Sequence, residues 1–192
     1  MANPNAPFGL SPVKSVGHMS VIVNEYLHAV GDNIALFIGD PVSTTGTSSS
    51  AVTGIPDGTP IATALGTSTT TAARGAVTGV RPTLTNLTLQ YCPALTALGL
   101  LVADDPFQIF RVMSNGTVVV GNIGGTAGIT SGSGSTITGL SAYVLTESDF
   151  GTSTHLLHAI RLSPIVNNVL GANAILDVTI NLHELATSSA GT

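Results

Sequence analysis

The stretch AILDVTINLHEL, residues 174–185, decides the fold class. In it Leu176, Val178, Ile180 and Leu182 alternate with Asp177, Thr179, Asn181 and His183. Successive side chains of an extended strand point to opposite faces, so a period of two gathers the aliphatic residues on one side and the polar ones on the other. A helix would scatter both sets around its axis. The stretch predicts a strand with one core face and one wet face.

The same punctuation runs through the rest of the chain. Short runs rich in Val, Ile, Leu and Thr are separated by clusters of Gly, Ser, Thr, Pro, Asn and Asp, and helical periodicity is hard to find. Strands are predicted at 20–29, 34–43, 59–64, 75–81, 86–91, 98–103, 137–145 and 156–163. A hairpin is predicted to join residues 107–113 to residues 117–122 through Ser114-Asn115-Gly116, because Asn-Gly supplies the positive φ values of a tight turn. About ten short strands at this spacing give an all-β fold, a jelly-roll-like sandwich or a barrel.

Residues 1–16, MANPNAPFGLSPVKSV, carry Pro4, Pro7 and Pro12. Each proline removes a backbone donor and holds the preceding residue extended, so this segment is expected to be an extended N-terminal arm. Residues 17–192 are expected to form a single β domain, since no repeat or composition shift divides them. Ser/Thr/Gly-rich stretches near 43–50, 64–73 and 121–138 read as surface loops, the last with the alternative of a flat ribbon against a neighbour.

Only 8% of the 192 residues are charged, against roughly 25% in an ordinary soluble domain, so neutral residues must fill most surface positions. Such a surface favours partial burial in a larger assembly. With a formal net charge of −5, one lysine (Lys14) and four scattered arginines, the chain offers no basic stripe to phosphates, and nucleic-acid binding is not expected. No apolar run approaches the roughly 18 residues of a membrane span, so no membrane partner is expected. The N-terminus lacks the basic and apolar regions of a signal peptide, which implies synthesis in a cytoplasm. The single cysteine, Cys92, reads as a small buried hydrophobe.

Catalytic motifs are missing where they would be diagnostic. The segment GSTITGLS, residues 134–141, has the glycine spacing of a phosphate-binding loop, but Leu140 replaces the lysine. Neither a nucleophile elbow nor a dinucleotide fingerprint occurs. His155 and His158 would point to opposite faces of a strand, which suits no metal, and His183 reads as a solvated or interface-bonded imidazole. His18 and His28 have no clustered partners. Asp104-Asp105-Pro106 reads as a strand-ending turn whose carboxylates bond nearby amides, rather than as a paired acid/base or Ca²⁺ site. No enzyme activity, cofactor or metal is expected.

Several runs spread along the chain, MANPNAPFGL at 1–10, ALFIGDPV at 35–42, NLTLQY at 86–91, VADDP at 102–106, GANA at 171–174 and INLH at 180–183, resemble a family of tailed-bacteriophage capsid cement, or decoration, proteins. The resemblance implies a β-rich, jelly-roll-like fold, attachment to the exterior of the virion shell, the major capsid protein as partner, and self-association, usually as a trimer. The chain departs from that pattern in carrying fewer charges and longer inserts near 43–50 and 64–73. On this reading the arm lies over a neighbouring subunit, with Pro4, Pro7 and Pro12 keeping it extended and Phe8 and Leu10 as apolar anchors. The rival reading is a carbohydrate-binding β-sandwich on the phage surface, for which no Trp and three tyrosines (Tyr26, Tyr91, Tyr143) are a thin supply of aromatic platforms. A hydrolase ranks third.

Overall fold

The computed structural model describes residues 3–17, 19–50, 52, 54–83, 86–151 and 153–186. Met1, Ala2 and His18 thus lie outside the described residues, as do the last residues of the expected domain. The fold is all-β: the described residues form twelve strands and two single-turn 3-10 segments. The strands are β1 (Ser11–Ser15), β2 (Asn24–His28), β3 (Pro41–Ser48), β4 (Pro60–Ala64), β5 (Gly75–Val80), β6 (Leu98–Ala103), β7 (Gln108–Met113), β8 (Thr126–Ala127), β9 (Ile129–Thr130), β10 (Val144–Leu145), β11 (Leu157–Leu162) and β12 (Ile175–Ile180).

Five of them close a barrel in the order β2-β4-β3-β5-β6, and five others form an open sheet in the order β1-β7-β12-β11-β8. β9 and β10 make a short ribbon. Closure removes sheet edges, so the barrel needs no covering layer. Its interior is filled by Tyr26, Leu36, Val42, Ala62, Val77, Cys92, Leu98, Leu100 and Val102. A second core lies under the open sheet, where Phe110, Val112, Leu157, Ala159, Leu176 and Val178 meet Ile129 and Leu145 of the ribbon and Ala73, Ala76 and Ala103 from the barrel side.

Residues 174–185 behave as the alternation predicts on the apolar side: Leu176, Val178 and Ile180 are buried. The polar side is not uniformly wet. Asp177 and His183 are both buried, the first under two arginines and the second where the chain leaves the sheet. The strand stops at Ile180, after which Ala73 N donates to Leu182 O and Glu184 N to Ala73 O, tying the C-terminal segment to the entrance of β5.

The predicted hairpin does not form. β7 has β1 on one side and β12 on the other, so residues 117–122 find no free edge, and Val120–Asn122 turns as a 3-10 segment instead. The stretch 43–50 is not a loop: most of it is β3, paired with β4 in a register that shifts between Thr44 and Ser48. Its threonines carry the β-branching that strands favour. Conversely, 86–91 is a turn region rather than a strand, with Leu87 exposed, and the expected strand at 137–145 shrinks to β10.

The N-terminal segment is built into the body. β1, the end of the expected arm, is an edge strand of the open sheet, with a register shift between Pro12 and Lys14. An edge position tolerates a proline that cannot donate. Immediately before it, Leu10 N donates to Gly39 O at 2.8 Å. Gly9 and Gly39 both have positive φ, and a Cβ on Gly9 would stand 2.3 Å from Gly39 O. Only glycine allows the two backbones to cross this closely.

Candidate contact surfaces

Of the arm residues expected to touch a neighbour, Leu10 is fully buried in the chain's own second core, so it is not an anchor for another subunit. Phe8 and Pro7 are half-buried and Pro4 is exposed. Phe8, Leu10 and Pro12 line a groove of about 380 Å³ with Ile38, Thr78 and Leu140. The start of the segment is pinned by Asn3, whose Nδ2 donates to Val169 O and Ala172 O at 2.8 and 2.9 Å while its Oδ1 accepts from Val169 N. An extended, proline-rich sequence says that a segment is straight, not whose surface it lies on.

What the sequence missed is an exposed aliphatic belt beside Asn3. The loops around 117–123 and 163–173 are held side by side by Val118 N donating to Gly171 O. They present Val119, Val120, Ile165, Val166, Val169 and Leu170, with Val166 86% and Val120 76% exposed, and neither stretch contains a charged residue. A second exposed group follows β1, where Met19, Ile22 and Val23 run toward β2 and Val16 is bonded through its N–H to Phe107 O. Scattered apolar residues are normal on a surface, but contiguous uncharged groups mark contact sites. Their signal in the sequence, VVV at 118–120 and IVNNVL at 165–170, is indistinguishable from that of short core strands.

The candidate chemical groups resolve into structural roles. Asp105 Oδ1 accepts from Phe107 N, as a turn aspartate does, but Asp104 reaches across to the barrel, accepting from Tyr26 Oη at 2.7 Å and Asn24 Nδ2 at 2.8 Å. Arg74 Nε donates to the same Tyr26 oxygen at 2.6 Å, and its guanidinium lies 5.5 Å from the Tyr26 ring centre. Burial, reinforced by the Asp104 carboxylate and opposed by Arg74, pushes the Tyr26 hydroxyl up to about 12. The group joins the ends of β2 and β6 to the start of β5 and leaves no carboxylate pair facing a cleft.

The four described histidines form no cluster. His28 sits in the barrel with its ring nitrogens 2.9 and 3.0 Å from Thr96 O and Ile34 O. His158 lies on the open sheet and His155 before β11. His183 is buried rather than solvated, and burial, aided by the Arg74 charge, lowers its pKa to about 4. Among the described residues no three His, Cys, Asp or Glu side chains converge as metal ligands would. Cys92 is buried, its thiol pushed up to about 12 by that burial. Among the described residues no helix is long and apolar enough to cross a membrane.

One cleft, of about 540 Å³, is lined by Asn33, Phe37, Asp40, Ser131, Ser133 and Tyr143 among others. Asp40 is buried, Oδ2 accepts from Phe37 N at 2.8 Å, and burial raises its pKa to about 6 against the pull of Ser141 and of that N–H. Phe37 stacks on Tyr91 at 5.1 Å, while Tyr26 and Tyr143 are buried. The two buried tyrosines therefore present no open face to a sugar, and the stack covers one face of the half-buried Tyr91. Compared with protein-family models, curated proteins and solved structures, the chain matches none.

Proposed function

We propose that this chain is a structural subunit that binds the exterior of a phage capsid and stabilises contacts between its capsomers, without catalysis. The observation that carries the reading is the uncharged aliphatic belt of Val119, Val120, Ile165, Val166, Val169 and Leu170 beside the docked N-terminus. A cement subunit acts by mass action: it binds the assembled shell and not the separated capsomers, so its binding free energy adds to the cost of opening a seam. Buried aliphatic area in an otherwise neutral contact supplies that energy. The capsid as partner follows from the resemblance of the sequence runs; the mode of attachment follows from the belt.

The test is co-sedimentation of purified chain with undecorated shells. Val120→Asp with Val166→Asp should abolish binding while leaving the monomer folded, since both side chains are exposed. Full occupancy by the double variant would overturn the reading. Deleting residues 2–12 is the wrong experiment, because it removes Leu10 and part of β1 from the core.

A further inference from the structure

Part of the Gly/Ser-rich stretch at 121–138 does not lie free on the surface. Residues 131–134 line the cleft of about 540 Å³ together with Ile34, Ala35, Phe37 and Ala64. This wall is tied down at both ends: Ser131 N donates to Thr67 Oγ1 at 3.0 Å, and Ser135 N donates to Leu140 O at 2.9 Å. A Cβ on Gly134 would stand 2.3 Å from the Phe37 ring, so only glycine lets the backbone lie against that ring. Phe37 is held in addition by its stack on Tyr91. The cleft is therefore formed before anything enters it, which lowers the ordering cost of binding.

Its polar groups are unbalanced. Asp40 is the one carboxylate among the residues that line the cleft, and no Lys, Arg or His lines it. Asp40 is only 3% exposed. Its Oδ2 accepts from Phe37 N and the Ser141 hydroxyl eases its charge, but Oδ1 has no hydrogen-bond partner. Among the described residues no cation offsets that charge. Tyr143 stands in the same cleft: its Oη accepts from Gly66 N at 3.0 Å, and burial, reinforced by the Asp40 charge, pushes its pKa up to about 12. It therefore stays a neutral phenol. Buried carboxylates are ordinarily paired, and an orphaned oxygen in a cleft wall marks a place for a partner that the chain itself does not supply.

We propose that this cleft binds a primary ammonium group carried on an alkyl chain. The ammonium brings Asp40 the countercharge and the donor that it lacks, and the hydroxyl oxygens of Tyr143, Ser131 and Ser133 are further acceptors for its three N–H bonds. The methylenes lie against Phe37, Ile34 and Ala64 while the charged head stays at the polar groups. A neutral hydroxyl would gain one hydrogen bond there, whereas a cation also gains the Coulomb attraction of a poorly solvated carboxylate. Such a group arrives on a lysine side chain of another protein or as a free amine, and the recognition chemistry is the same. The site shares no residue with the aliphatic belt and does not depend on the capsid reading.

The experiment follows backbone amide NMR signals of the full chain during titration with n-butylammonium chloride at constant ionic strength. It is run at roughly pH 7.5, above the Asp40 pKa of about 6. Saturable shifts at Phe37, Gly66, Ser131 and Ser133 are expected, with a Kd on the order of 1 mM for a ligand of this size. Asp40→Asn keeps the acceptor for Phe37 N but removes the charge, and should weaken binding at least about tenfold. Butan-1-ol, the neutral counterpart, should show no saturation over the same range. This comparison uses the parent chain, so it decides even where the variant does not fold. Absence of saturable shifts, equal binding of butan-1-ol, or undiminished binding by folded Asp40→Asn would overturn the proposal. Nα-acetyl-lysine amide and butane-1,4-diamine separate the sources: tighter binding of the first supports a protein lysine as occupant, and of the second a free amine. Neither result bears on shell attachment, which the belt variants test.

Discussion

Replacing Leu10 by Ala distinguishes a segment built into its own domain from one laid over a neighbour. Leu10 is fully buried beside Phe110, Val112, Ala76 and Ala103. The substitution removes about three carbon groups, roughly 2.4 kcal/mol in transfer terms at about 0.8 kcal/mol each, and the cavity left behind adds to that. The cavity cannot close easily, because the Leu10 N–H to Gly39 O bond and the Gly9–Gly39 crossing fix the backbone on one side. A loss of about 3–4 kcal/mol is therefore expected out of a total on the order of 5–15 kcal/mol. At a urea dependence of about 2–3 kcal/mol per molar, the unfolding midpoint should fall by roughly 1–2 M. Pro4→Ala, at an exposed position of the same segment, should stay within about 0.5 kcal/mol of the parent. An unchanged midpoint for Leu10→Ala together with weakened particle binding would refute the argument, since Leu10 would then face outward.

Three further outcomes follow from the buried polar groups. His183, lowered from 6.5 to about 4, binds its proton in the unfolded chain first, so its contribution is lost as pH falls from about 6.5 to 4; Asp40, raised from 3.8 to about 6, takes its proton in the folded chain first and contributes stability over almost the same fall. The two nearly cancel in the parent, so urea titrations between pH 6 and 4 should show Asp40→Asn losing about 1.4 kcal/mol per pH unit and His183→Gln gaining on acidification. Asp177→Ala leaves Arg111 and Arg161 without their shared carboxylate; because both are partly solvated the cost is discounted to about 1–3 kcal/mol, read as a lowered thermal midpoint. Cys92 should ignore a thiol reagent in the native chain at mildly alkaline pH and react once guanidinium exposes it; fast labelling of the native state would show that its barrel site opens readily.

Strands with a buried aliphatic face were legible because period-two alternation is a local property. β4, β5, β6, β7 and β11 fall within a residue or two of their expected places. The errors share one cause, which is that pairing partners are distant in sequence. Asn115-Gly116 invites a hairpin, but β7 is already flanked by β1 and β12. STTGTSS at 43–49 looks like a loop until β4 supplies the hydrogen bonds that hold most of it as β3. The Pro-rich N-terminus looks detached until Gly9 meets Gly39 and Asn3 meets the loop at 169–172. The contact surfaces were less legible still: Val120 and Val166 have the composition of core residues, and only the folded chain leaves them outside.

By itself, then, the sequence determined an all-β chain with very little charge, because side-chain alternation and composition act through the nearest neighbours. Tertiary structure alone decided that five strands close a barrel, that Leu10 is core, and that Lys14, Arg111 and Arg161 stand on one face around a buried Asp177. Those three cations lie far apart along the chain, and strand register across the open sheet is the only thing that brings them together.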